Sequence, residues 1–319
     1  EPSGDRGGMQ SYKTQKKNAL HEDSIWALSW PQDDRLISGS IDETVKVWKM
    51  ASDSGEKMQQ IEVQPISTFP GHFLGVVSVS ATKDGKLCAV SSLDGRIRIW
   101  NLEERAVQRS IDPGLVETWT VCFHPSGEML ASGTQTGKIN VYQTHSKEDK
   151  PEATIKSDGR FILATAYSPC GRMIAAGSND GVVSLFDTEN GNLIRKLEAH
   201  SSAVRSIAWS PDSQTVLTGS QDKSIMIHDV SAKTNAAMLP GHDSWVLSVA
   251  HNPSRPECIS GGSDKKVRVW DLAQRQLSQI VEEHTDQVWA VDYNPSGTRF
   301  VSSGDDGALV VGQSLRSGS

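Results

Sequence analysis

Apolar and polar residues alternate in short runs along most of the chain, as in Ile97-Arg98-Ile99-Trp100 and Val267-Arg268-Val269-Trp270. A period of two sends successive side chains to opposite faces of a strand. Each run therefore predicts a strand with one packed face and one more polar face. Turn residues divide the runs: Pro31-Gln32-Asp33-Asp34, Pro125-Ser126-Gly127, Pro169-Cys170-Gly171, Pro211-Asp212-Ser213 and Pro295-Ser296-Gly297 after the first run of a unit, then Asp94-Gly95, Asp180-Gly181 and Asp222-Lys223 after the second. Proline fixes the bend and glycine permits positive φ, so these are hairpin and turn chemistry. The cleanest unit opens on Gly241-His242, runs through three strands and closes on Trp270-Asp271.

That unit recurs. Asp42, Asp94, Thr136, Asp180, Asp222, Asp264 and Asp306 occupy one equivalent position, with successive spacings of 52, 42, 44, 42, 42 and 42 residues. Six residues further on stand Trp48, Trp100, Tyr142, Phe186, His228, Trp270 and Gly312. Five of the units also carry a histidine upstream: His21, His72, His200, His242 and His284. A period of about 40–45 residues with Gly-His and Trp-Asp landmarks predicts four-stranded blades arranged as a propeller. The longest interval holds Ala51 to Lys57, read as a solvated loop. The run from Gln10 to Lys17 precedes the first histidine, and the last repeat stops after its third strand. Open blades would leave unpaired edges, so the N-terminal strand is expected to complete blade seven. The predicted fold is all-β, a single seven-bladed propeller over residues 10–313, with flexible tails at 1–9 and 314–319 and Met9 a candidate native start.

The body resembles the WD-repeat β-propeller family. Within it, Gly71-His72-Phe73-Leu74-Gly75-Val76-Val77-Ser78-Val79, Ser110-Ile111-Asp112-Pro113-Gly114-Leu115-Val116-Glu117-Thr118-Trp119, Gly159-Arg160-Phe161-Ile162-Leu163 and Asp286-Gln287-Val288-Trp289 are similar to the compact animal WD-repeat subunit shared by the Ski complex and the Paf transcription-elongation complex. The similarity includes the third and fourth repeats, which lack Gly-His. It implies a non-catalytic adaptor, monomeric within a hetero-complex, found in nucleus and cytoplasm. Its implied partners are protein subunits: the helical-repeat scaffold of the Ski complex, which serves 3′-to-5′ mRNA decay, and Paf complex subunits. Another WD-repeat binder, a histone-tail reader or a cullin-ligase substrate receptor, is the alternative. The receptor lacks support because Trp270-Asp271 is followed by Leu272-Ala273 and not by a Trp-Asp-x-Arg motif. The reader lacks support because the candidate surface is rich in aliphatics.

Composition narrows the function classes. A net charge of −7 with scattered Lys and Arg gives no clustered basic face for phosphate, so direct nucleic-acid binding is not expected. Cys88, Cys122, Cys170 and Cys258 are far apart, which suggests neither a disulfide framework nor a zinc site. No long apolar run or charged-then-apolar leader is present, so neither a membrane span nor a secretory signal is expected.

His21, Ser38, Asp42 and Trp48 in blade one, and His242, Ser260, Asp264 and Trp270 in blade six, contain the residue types of a Ser-His-Asp triad. The set recurs from blade to blade, and a repeated scaffold element is no unique site, so these are read as structural tetrads. The histidines lie on different blades without ligand spacing; no metal or cofactor is expected. Val90 replaces the serine in blade two, His228 the tryptophan in blade five and Gly312 the aromatic in blade seven, so those blades should rest more on packing.

The resemblance implies partner contacts on the face made by the loops that lead into each blade and those after its second strand. They fall at three positions per blade: three and five residues after the tetrad histidine, and one before the tetrad aspartate. These include Trp26, Ile41, Val77, Leu93, Glu117, Trp119, Phe161, Trp245, Trp289 and Asp305, with Ala203, Arg205 and Gln221 on blade five. Three tryptophans at one equivalent position argue for an interface, since tryptophan is enriched among interface anchors. The expectation is an apolar arc over blades seven, one, two and three. A partner would insert an apolar side chain among Trp26, Trp119 and Trp289, with a basic residue meeting Glu117 or Asp305. By contrast Trp30, Phe123, Tyr167, Trp209 and Tyr293 share a strand-end position and are read as packing.

Overall fold

The computed structural model describes residues 11–50, 61–114, 118–157, 160–198, 200–232, 237–239 and 241–315. Both expected tails, except Ser314 and Leu315, and the Ala51 to Lys57 loop lie outside these residues. Within them the chain forms 28 strands and no helix, sorted into seven four-stranded antiparallel sheets. Blade one is typical: Ile25–Gln32 innermost, then Arg35–Ser40, Val45–Met50 and Val63–Phe69. Blade seven differs. It takes Val288–Tyr293, Arg299–Gly304 and Leu309–Ser314 from the end of the chain and its outer strand, Tyr12–Lys17, from the beginning. The register runs from Tyr12 opposite Ser314 to Lys17 opposite Leu309. The inner strands of successive blades are neighbours all the way round, and that of blade seven lies beside that of blade one. This is a seven-bladed propeller closed by its N-terminal strand.

The core is the set of seams between blades. Ala89, Ile97, Ile99 and Ile111 of blade two, for example, pack on Val121, Phe123, Leu130 and Tyr142 of blade three. The small residue in each second strand follows from these seams. A Cβ added to Gly39 would overlap Val76 of the next blade; Gly133, Gly177, Gly219 and Gly261 face Ile162, Val204, Val246 and Val288 in the same way. Blades two and seven carry serine instead. Ser91 Oγ donates to the Trp119 carbonyl at 3.0 Å and Ser303 Oγ to that of Ile25 at 3.2 Å, both on the next inner strand. Trp30, Phe123, Trp209 and Tyr293 are buried and Tyr167 is half-buried, each in a seam.

Closure of the ring carries its own polar chemistry. Tyr12 and Tyr293 donate their hydroxyls to Glu257 Oε1 at 2.5 and 2.8 Å, and Asn252 Nδ2 adds a third bond to the same oxygen at 3.2 Å. One buried carboxylate of blade six thus holds both edges of blade seven. Phe300 leans over Gly312 and meets Tyr12 edge-on at 5.0 Å, so its ring fills the place of the missing third-strand aromatic. At the junction of blades seven and one, the carboxylate of Asp292 accepts the backbone N–H groups of Trp30 and Tyr293, each at 2.8 Å. Ser80 Oγ accepts Phe123 N–H at 3.0 Å between blades two and three in the same manner. Burial of the Asp292 carboxyl raises it to about 6.

Candidate functional site

The tetrads form as the spacing predicts. In blade one His21 Nδ1 lies 2.7 Å from Asp42 Oδ2 and its Nε2 2.7 Å from Ser38 Oγ, which also accepts Trp48 Nε1–H at 2.8 Å. Blade six repeats this, with His242 3.1 Å from Asp264 and 2.7 Å from Ser260, and Trp270 2.9 Å from the same hydroxyl. Burial holds His21 and His242 below the ordinary imidazole range, opposed by their aspartates. In blade one a neutral ring then donates from Nδ1 to the carboxylate and accepts the serine proton at Nε2; in blade six Arg268 Nη1 joins the network, 2.5 Å from Asp264 Oδ2 and 2.6 Å from His242 Nδ1. Burial alone would raise Asp42 and Asp264, but the hydrogen bonds they accept, from His21, Thr44 and the Glu22 N–H and from His242, Arg268 and the Asp243 N–H, together outweigh it and both sit below the carboxylate range.

Such a serine has its hydroxyl clamped between two rings and offers no free nucleophile. Blades five and seven keep the His-Asp link and the hydroxyl, through Thr218 and Ser302. Blade two rearranges. With Val90 in place of the serine, Trp100 Nε1 donates straight to His72 Nε2 at 3.2 Å, and Asp94 turns to Arg98 at 2.7 Å. His72 Nδ1 is left buried without a hydrogen-bond partner.

The informative geometry lies at the axis. The residues five after each tetrad position, Trp26, Val77, Trp119, Leu163, Arg205, Leu247 and Trp289, all line one cavity of about 190 Å³ at the mouth of the central channel. They occupy the start of each inner strand, the end fed by the loops that carry the tetrad histidines. Trp26 and Trp289 stack with centroids 4.6 Å apart and planes 25° apart, and both indoles donate to Asp305 Oδ1, at 3.4 and 2.7 Å. Gln287 Nε2 approaches the other oxygen at 3.3 Å. Trp119 instead meets Phe161 edge-on at 5.9 Å. The mouth thus holds two aromatic pairs, with Val77 between blades one and three, where the sequence suggested one group of three tryptophans. Asp305 is committed to orienting the first pair.

Other expected residues sit further out. Ile41 is half-buried, with the backbone of Gly75 lying against it. Leu93 and Trp245 are each 44% exposed, and Trp245 lies outside the residues lining the cavity. Glu117 is outside the described residues. Position counting passed over Phe73 and Leu74, which are 64% and 66% exposed on the loop into blade two. Leu74 sits at φ +67 and its N–H is held by Glu43 Oε1 at 3.1 Å, so the turn projects an apolar pair beside Leu93, whose N–H binds the Gly75 carbonyl at 3.0 Å. The signal was present in Gly71-His72-Phe73-Leu74: large apolar residues where the other histidine-bearing blades, one, five, six and seven, carry polar ones.

Residues 58–313 match the family described as the IFT122 first beta-propeller, and residues 13–49 match the WD domain, G-beta repeat. Among curated proteins the chain is similar to WD repeat-containing protein SL1-17 of Schistosoma mansoni, at 33% identity over 62% of this chain and 64% of that protein. It is 35% identical to WD repeat-containing protein VIP3 of Arabidopsis thaliana over 59% of this chain and 60% of that one. Superkiller complex protein 8 of Dictyostelium discoideum is 31% identical over 37% of this chain and 36% of its own length. The matched stretches span less than two thirds of the length of these relatives.

Proposed function

The chain belongs to the WD-repeat β-propeller family, a family of scaffold-type proteins, and from that premise we propose that it is a non-catalytic adaptor that captures partner segments at its channel mouth. One observation carries the reading. Trp26, Trp289, Trp119 and Val77 line one cavity and stay half-buried, Phe161 packs edge-on against Trp119, and the loops of blade two add exposed Leu93, Phe73 and Leu74. Exposed apolar groupings of this kind mark interaction sites, and pre-set aromatic rings lose little freedom on binding. The clamped tetrad hydroxyls speak against a hydrolase. Similarity to a protein named for the superkiller complex, together with the motifs shared with the Ski and Paf subunit, supports membership of those two assemblies and residence in both cytoplasm and nucleus. The partner's apolar side chain enters beside the Trp26–Trp289 stack.

The test is affinity purification with mass spectrometry on wild type, Trp26→Ala and Trp119→Asp. Both variants should lose Ski and Paf subunits while keeping the wild-type circular dichroism. Subunits recovered equally with all three proteins would refute the mouth as the site.

A further inference from the structure

Six of the seven positions ringing the mouth are apolar or aromatic; the seventh, on blade five, is Arg205. The Gln221 amide oxygen, turned toward the guanidinium, accepts from Arg205 Nε and Nη2, each at 2.9 Å. A guanidinium carries five N–H donors, so donors remain beyond the two given to Gln221 on a side chain that lines the cavity. Among the described residues no carboxylate forms an ion pair with Arg205. Asp305, the acid of the same mouth, is occupied by two indoles and an amide. Leu163 and Leu247 flank the arginine around the ring and are buried. Burial lowers the basicity of Arg205, with no anion offsetting it. A half-buried cation between two buried leucines, without a counter-ion among the described residues, is a half-built ion pair. Its missing half is a planar acceptor that can take two parallel N–H bonds.

Building on the mouth as the partner site, we propose that Arg205 receives the carboxylate of an Asp or Glu side chain in the bound segment. The segment then carries two features at fixed separation: a large apolar side chain for the Trp26–Trp289 stack and an acid for blade five. The charge fixes the direction in which the segment crosses the channel, because reversing it would set the acid against Asp305 and leave Arg205 buried and unpaired.

The probe is a displayed library of random peptides selected against the full chain, in wild-type, Arg205→Gln and Trp26→Ala forms. Wild type should enrich peptides that pair an apolar anchor with an acid, and Arg205→Gln should keep the anchor but lose the acid. For a selected peptide, replacing its acid by the amide should weaken binding to wild type by about tenfold or more and leave binding to Arg205→Gln unchanged. An equal loss on both proteins, or no enrichment of acids, overturns the assignment of Arg205 while Trp26 dependence persists. If the selected peptides ignore Trp26→Ala, or none is selected, the mouth reading fails and the role of Arg205 falls with it.

Discussion

Ser260 shows what a single residue does in this fold. Its hydroxyl is shared by His242 and Trp270, so Ser260→Ala leaves two buried ring nitrogens without a partner. The expected cost is about 1–3 kcal/mol, readable by urea unfolding. Recurrence made such tetrads legible in the sequence, but the consequence of Val90 was not, because only the folded distances show Trp100 reaching His72 directly. The histidines also set a pH dependence. Burial lowers His72 and His228 to about 4 from an ordinary 6.5, while burial raises Asp292 to about 6 from 3.8. The unfolded chain takes up the histidine protons as pH falls through 6.5 and the folded chain resists until about 4. Their stabilisation is therefore complete above 6.5 and lost across that window. Asp292 acts in the opposite sense, since its folded form gains a proton first as pH falls through about 6. Melting temperature should fall from neutral pH toward 4, less steeply in His228→Asn and more steeply in Asp292→Asn.

At the scale of elements, the N-terminal strand is the part whose role follows from counting strands. Its six-residue register against Leu309–Ser314 supplies the fourth strand of blade seven. Tyr12 adds a hydrogen bond to the buried Glu257 that counting could not reveal, since the two lie 245 residues apart. Tyr12→Phe should lower unfolding free energy by about 1–3 kcal/mol, while deletion of residues 1–18 should lower the melting temperature far more. An unchanged melting temperature in the deletion would contradict closure by this strand. The glycines of the second strands were visible as a pattern without a reason; the reason is the valine or isoleucine of the next blade pressed against each. Phe73 and Leu74 escaped because side-chain direction in a turn is set by local backbone, and strand periodicity does not extend there.

Across the whole molecule, blade number, closure and the ring of mouth positions were legible because the same landmarks recur in seven repeats, four of whose six spacings are 42 residues. How the ring is partitioned was not. Trp26 pairs with Trp289 through Asp305, and Trp119 with Phe161, because neighbours around a closed ring are far apart in sequence. The central proposal is that partner segments bind at the mouth. A second cleft, lined by Lys83, Lys86, Glu128 and His145 between blades two and three, provides the control. The decisive measurement is the affinity of the full chain for a co-purifying partner subunit, compared among wild type, Trp26→Ala and Lys86→Glu with folding checked in each. Binding lost in Trp26→Ala and retained in Lys86→Glu is the expected result; binding retained in Trp26→Ala and lost in Lys86→Glu would contradict it.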